Sequence, residues 1–346
     1  MKKKTLALFM AITMGVTLLS GCGTVGGETK KTEAPTGMGS TEDPAEAGST
    51  EDKVFKIGIC QQLEHPALDA ATEGFRAALV EKLGEDKVEF DYQNAQGEQA
   101  NCATIATKFV NDKVDLIMAN ATTALQACAA ATADIPVVGT SVTDFVSAGV
   151  VESNEVPGRN VTGASDLAPI DQQIELLKKL VPEARTAGIL YCSAEANSVF
   201  QADKAEAELT KAGITVSRYT VADSNDIQQV VTKAAAECDV LYIPTDNTMA
   251  DNTQIVKNVT VPAKIPVIVG EENMCAGGGL ATLSISYYSL GYNAGLMAYE
   301  ILVNGAEPAA MPIEYADETI VKYNAEIAEA LGITMPEDMV AVEKED

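Results

Sequence analysis

From Val54 onward, short runs of β-branched and aliphatic residues alternate with longer stretches whose apolar positions recur every three or four residues. Short runs of that kind suit strands buried on both faces of a parallel sheet, and the longer stretches suit amphipathic crossover helices, so the chain reads as repeated βαβ units. Strands are expected over 55–60, 88–92, 115–119, 136–139, 188–192, 215–219, 239–243 and 266–269. A helix is expected over 66–83 with Pro66 in its first position, and another over 171–180, stopped before Pro182. Two more are expected, over 224–237 behind a capping residue and over 287–302, closed by Asn304 and Gly305.

The strands divide four and four, and the halves echo each other. Residues 115–119 (DLIMA) return as 239–243 (DVLYI), and 135–139 (IPVVG) as 265–269 (IPVIV), which implies a structural duplication. Between the halves, 157–163 (PGRNVTG) reads as a turn-rich crossing that suits a hinge. Polar residues crowd the carboxyl end of nearly every strand: 61–65, 120–123 and 140–144 in the first half, 193–198, 245–248 and 270–273 in the second. Open parallel sheets bind ligands at that edge, so two such lobes facing each other predict a polar cleft.

The N-terminal stretch is of another kind. Lys2, Lys3 and Lys4 precede an apolar run over 6–19, shorter than the roughly 20 residues of a membrane-spanning helix. Ser20, Gly21 and Cys22 then resemble the bacterial lipobox, which implies a signal peptide over 1–21, acylation of the Cys22 thiol and anchoring on the extracytoplasmic face of the membrane. Residues 22–53 are small, polar and acidic and read as a flexible tether. The glycine pattern over 21–26 imitates a dinucleotide fingerprint without a strand before it or a helix after it. A formal charge of −26 disfavours nucleic acid and anionic surfaces as partners. Seven cysteines, none spaced as CxxC, and one histidine predict buried thiols rather than a metal or cofactor site.

Several stretches in order carry a family resemblance. They are 57–61 (IGICQ) with 64–70 (EHPALDA), 160–163 (NVTG) with Ser165 and Asp166, Asn197 with Ser198, 246–248 (DNT), and 286–291 (SYYSLG). Together, over about 56–331, they resemble the extracytoplasmic solute-binding proteins of the tryptophan/tyrosine ABC-transporter family. Gln62 departs from that pattern, which has an apolar residue there. The resemblance implies an α/β fold of two doubly wound parallel-sheet lobes joined by a three-segment hinge, the type I periplasmic-binding-protein fold. Crossings are then expected near 160–166, 282–287 and 312–321, with one lobe from 54–163 plus 287–314 and the other from 164–286 plus 315–346. It also implies a monomer that hands an amino acid, aromatic by analogy, to an ABC permease and its ATPase; this chain has no G-x-x-x-x-G-K-[ST] motif of its own.

A free amino acid needs donors for its carboxylate, a carboxylate for its ammonium, and a shaped pocket. Thr122 and Thr123 open a helix behind a strand, where free N–H groups favour an anion, and Thr143 adds a hydroxyl. Asp246 is the first choice for the ammonium and Asp166 the second. Gln61, His65, Asn197, Ser198, Asn247 and Glu271 complete the expected lining, while Tyr191, Tyr242, Phe145 and Tyr287 are candidate walls for an aromatic ring. Helix capping is the competing role for Asp246 and for the two threonines. Rival functions are a racemase using Cys60 and Cys192 across the cleft, a sensor feeding a membrane kinase, and a sugar-binding protein, the last disfavoured by the absence of tryptophan.

Overall fold

The computed structural model describes residues 53–316 and 318–343; the expected signal peptide, Cys22 and nearly all of the expected tether lie outside the described residues. The first lobe begins with β1 (Phe55–Gln61), α1 (Pro66–Leu83), β2 (Val88–Asn94), α2 (Gln99–Asp112), β3 (Leu116–Asn120), α3 (Thr122–Ala131), β4 (Val137–Val142) and β5 (Val161–Ser165). The second runs through α4 (Ile170–Leu180), β6 (Thr186–Cys192), α5 (Ala196–Lys211), β7 (Thr215–Val221), α6 (Ile227–Glu237), β8 (Val240–Ile243), α7 (Asn247–Ala250), α8 (Thr253–Ala263), β9 (Val267–Val269), α9 (Glu272–Gly277) and β10 (Ala281–Ser284). The chain then returns through α10 (Tyr287–Asn304) and β11 (Glu314–Tyr315) before ending in β12 (Ile320–Tyr323), α11 (Ala325–Leu331) and β13 (Val340–Ala341).

The first sheet has the order β11-β5-β4-β3-β1-β2 and the second β13-β12-β10-β9-β8-β6-β7. All pairings are parallel except β10 with β12. Each lobe is therefore doubly wound, and the chain passes between sheets three times, after β5, after β10 and after β11. Alternation along the strands explains why both faces are covered. In β1, Ile57 and Ile59 face α1 and α10, while Gly58 and Cys60 face α2.

Helix α10 is what ties the returning chain to the first lobe. It lies so close to α1 that a Cβ on Gly291 would fall 1.9 Å from the Ala71 carbonyl oxygen, and one on Gly74 would fall 2.1 Å from that of Tyr288. Only glycine permits that approach.

The hydrophobic pattern missed β5 and β10 to β13. Val161–Ser165 is wholly buried but made of small and polar residues, so it reads as a turn, and the others are short. In the helix expected from Ser224, residues 224–226 form a 3₁₀ turn whose cap is Asp223, and α6 follows it.

Candidate ligand-binding cleft

Two rows of strand ends face each other. On the first lobe, in the order β1, β3, β4, β5, the residues that follow are Gln62, Ala121, Thr143 and Asp166; on the second, β6, β8 and β9 lead into Ser193, Pro244 and Gly270. Hydrogen bonds already join the rows. Gln201 Nε2, on α5, donates to Thr143 Oγ1 at 3.2 Å, and His65 Nε2 lies 3.3 Å from Asn247 Oδ1. The lobes are closed on one another.

The first-lobe edge has the chemistry of an anion site. Ala121 and Ser141 take left-handed backbone conformations, φ 85° and 55°, which for residues with a Cβ mark stored strain of the kind found at ligand sites. Ala121 precedes α3 and offers no side chain to its first N–H groups. The amino end of α3 is thus uncapped and buried, and it directs free donors and a positive dipole end outward. Beside it, the Thr122 and Ser141 hydroxyls are buried without partners.

Asp166 is the matching acid. It is buried at the first crossing, where its Oδ2 accepts from the Tyr287 hydroxyl at 2.9 Å, a bond that ties the first crossing to the second. Its other oxygen, Oδ1, has no partner. Burial raises the carboxyl above its ordinary range, although the bonds from Tyr287 and Thr143 oppose the shift. On the second lobe Asn197 donates to Glu195, Ser198 and the Thr245 carbonyl, which leaves its Oδ1 unpartnered and buried.

Other expected residues are committed elsewhere. Asp246 is the N-cap of α7: Oδ1 accepts from Met249 N–H at 2.8 Å and Oδ2 from Cys192 N–H at 2.6 Å. Burial, with Glu195 adding like charge, pushes its carboxyl up to about 8. Glu271 likewise caps α9 through the N–H groups of Asn273 and Met274, and burial pushes it up to about 7. Gln61 is consumed inside its own lobe, its amide donating to the Leu63 carbonyl and Asp69 and accepting from Thr72 and Asn120. All three are engaged by neighbouring groups of their own lobe. Ser198 is buried against Asp246.

His65 occupies the N-cap of α1 without capping it, and burial holds its imidazole below the ordinary range even though the Asn247 contact pulls the other way. It is neutral at pH 7, with Nδ1 unpartnered. Of the four candidate aromatic walls, Tyr191 and Tyr242 lie in one core of the second lobe and Phe145 and Tyr287 in cores of the first; Tyr287 differs in that its hydroxyl donates to Asp166. Sequence reasoning gave no role to Ser141, Glu195 or Gln201. Glu195 accepts from the backbone and side chains of both Asn247 and Thr248, and so organises the second-lobe edge.

Outside these groups an interlobe cavity of about 370 Å³ opens, walled by Gln62, Leu63, Thr123 and Gln126 on one lobe and Cys192, Ala194, Glu195 and Ala222 on the other. The six described cysteines are free and buried. Cys60 sits behind β1 in hydrogen-bonding contact with Cys102 and Cys128, and Cys192 is raised by burial and by the charge of Asp246. The paired, activated thiols that a racemase needs are not formed. Among the described residues no cluster has metal-binding geometry, and no helix is long and apolar enough to cross a membrane.

Comparison with known proteins agrees with this geometry. Residues 56–345 match the family described as ABC transporter substrate binding protein. The chain is 39% identical over 338 residues to a tyrosine-binding protein of Clostridioides difficile, covering 96% of this chain and 93% of that one. Among solved structures it resembles an ABC domain in complex with L-Trp from Streptococcus pneumonia, with 36% identity, 84% and 100% coverage and a TM-score of 0.81. It also resembles the ligand-free, open structure of a substrate-binding protein with adhesive properties from Clostridium difficile, with 40% identity, the same coverage and a TM-score of 0.67. The ligand-bound relative superposes better although its sequence is less similar, as expected for lobes already joined by Gln201 and His65. The fold is that of type I periplasmic-binding proteins, and the chain belongs to the ABC transporter substrate binding protein family.

Proposed function

We propose that this protein captures an aromatic amino acid between its lobes and delivers it to an ABC permease from the extracytoplasmic face of the membrane, held there by acylated Cys22. The observation that carries the reading is the set of buried, unpartnered polar atoms along the seam: Thr122 Oγ1, Ser141 Oγ and Asp166 Oδ1 on the first-lobe side, Asn197 Oδ1 on the second. Buried polar groups are normally bonded, and leaving one unsatisfied costs about 1–3 kcal/mol. A zwitterion supplies the missing partners.

Its carboxylate takes the free N–H groups of Thr122 and Thr123 at the start of α3, with the Thr122 and Ser141 hydroxyls beside them. Its ammonium takes Asp166 Oδ1 and Asn197 Oδ1, one from the hinge and one from the second lobe. A cation beside Asp166 reverses the effect of burial and holds the carboxyl ionised. Asp246 and Glu271 support the site from behind as caps. The L-Trp and tyrosine relatives indicate an aromatic side chain, with Leu63, Ala194 and Ala222 offering apolar wall.

Calorimetric titration with the common amino acids tests the reading. Tyrosine or tryptophan is expected to bind in the micromolar range or tighter, with a negative heat-capacity change from apolar burial. Absence of heat for every amino acid would overturn it.

A further inference from the structure

His65 is the chain's one histidine, and it stands on the seam between the lobes. It fills the N-cap position of α1 without capping it, so its imidazole is free for another partner. That partner lies across the seam, where Nε2 is 3.3 Å from Asn247 Oδ1 at the start of α7. The direction of this bond is fixed from behind. Asn247 Nδ2 donates to Glu195 Oε2 at 2.7 Å, and the same carboxylate accepts from the Asn247 and Thr248 N–H groups and from the Thr248 hydroxyl. Turning the Asn247 amide over would set its oxygen against that carboxylate, so the oxygen stays toward the first lobe, where it can only accept. Closure thus selects the imidazole tautomer that carries its proton on Nε2.

A second proton would sit on Nδ1, which in the closed cleft is buried with no acceptor beside it. An unpaired donor and a charge shut away from water both count against the closed state. The acids around the ring are Asp69 of its own helix, Glu195 ahead of α5 and Asp251 behind α7, with Glu64 next to it in the chain and bonded to the Tyr92 hydroxyl. Burial outweighs the pull of Asp69, Glu195 and Asp251 and holds the imidazole below its ordinary range. Parting the lobes takes away Asn247, Glu195 and Asp251 together with the cover they give, and a solvated imidazole titrates near about 6.5.

We propose that His65, Asn247 and Glu195 form a latch between the lobes that shuts only on a neutral imidazole, so that acid weakens ligand capture by holding the cleft open. This rests on the amino-acid reading given above, which supplies the ligand that closes the cleft. The open form binds the extra proton more readily than the closed form. Closure is therefore indifferent to pH above about 6.5 and is disfavoured below it, by up to about tenfold per pH unit until the closed form takes the proton as well.

Calorimetric titration with tyrosine between pH 7.5 and pH 5 tests the latch. Asp166 adds an acid loss of its own, because its ionised form holds the ammonium, so the trend is compared with that of His65→Gln, whose amide donates to Asn247 Oδ1 and never titrates. The native chain is expected to lose about threefold or more in affinity beyond the loss seen in the variant. A single histidine also gives a single set of imidazole resonances, so NMR titration of the native chain reads the ring without any substitution. Its midpoint is expected to fall when tyrosine is bound. Equal pH trends in the two proteins, or a midpoint that tyrosine leaves unmoved or raises, overturns the latch and leaves the amino-acid site standing. Failure of the native chain to bind tyrosine or tryptophan at every pH overturns both.

Discussion

Replacing Asp166 by Asn separates binding from folding, because the two should move in opposite directions. The substitution keeps the shape of the side chain and an oxygen to accept from Tyr287, which now donates at 2.9 Å to Oδ2. It removes the charge, and the amide NH₂ replaces the unpartnered Oδ1 where the ligand ammonium is proposed to sit. Truncating one partner of a buried, hydrogen-bonded charge pair costs about 2–5 kcal/mol, and about 1.4 kcal/mol is a factor of ten, so affinity should fall by about 30-fold at the least. Folding should go the other way. Burial raises the Asp166 carboxyl, so the folded protein holds its proton more tightly than the unfolded chain does. Stability from this residue is then greatest at low pH and is lost as pH rises through the raised value, where an uncompensated buried charge appears. Asn avoids that charge. The ligand-free variant should therefore melt at or above the wild-type temperature at pH 8, with the difference closing as pH falls. Calorimetric titration with tyrosine and scanning calorimetry without it give both numbers. Affinity within threefold of wild type would refute the assignment, as would a loss of binding that merely tracks a loss of stability.

The fold and its caps give two further tests. Gly291→Ala should destabilise the protein by about 1–3 kcal/mol or more, since the new Cβ would stand 1.9 Å from the Ala71 carbonyl oxygen and α1 must part from α10. Helix propensity alone predicts a gain of roughly 1 kcal/mol, so the sign of the shift in urea midpoint decides between them. Asp246 is pushed up to about 8 against roughly 3.9 in an unfolded chain, so the folded state keeps a proton that the unfolded state releases, and stability falls as pH rises between those values. Asp246→Asn should flatten that decline in urea titrations from pH 5 to 8. Glu271, pushed up to about 7, keeps part of the slope, and parallel curves for variant and wild type would show that Asp246 does not titrate in this window.

What the sequence made legible, and what it hid, follows from the range of the interactions. Strands β1, β3, β6 and β8 stand out because both faces are buried and the residues are correspondingly apolar. β5 is buried just as completely, but Val161–Ser165 meets glycine and small neighbours, and only the tertiary structure says so. The cleft was readable from topology, since the polar edge of an open sheet is where ligands go. Which side chains enter it was not. Gln61 and Gln62 are adjacent, yet side chains alternate along extended chain, so the first is spent on Thr72, Asn120 and Asp69 and the second lines the interlobe cavity. Asp246 and Asp166 differ in a similar way. Asp246 stands three residues before Met249, whose N–H it caps, a spacing visible in the sequence; Asp166 caps no helix, and it accepts from Tyr287, far along the chain.

The same distinction governs how closure is driven. The direct bonds across the seam, Gln201 to Thr143 at 3.2 Å and His65 with Asn247 at 3.3 Å, join neutral groups, and such bonds contribute about 1 kcal/mol each. The closed seam meanwhile holds Thr122, Ser141, Asp166 and Asn197 atoms without partners, each costing about as much or more. These polar groups by themselves therefore do not favour closure, and a ligand biases it only by contacts made in the closed state alone. Asp166 and the start of α3 stay on the first-lobe side whether the cleft is open or shut, so they give affinity without bias. Bias must come from the second lobe, where Asn197 offers the free oxygen. A ligand that keeps its carboxylate but lacks an ammonium should therefore occupy the first lobe and leave the second unengaged.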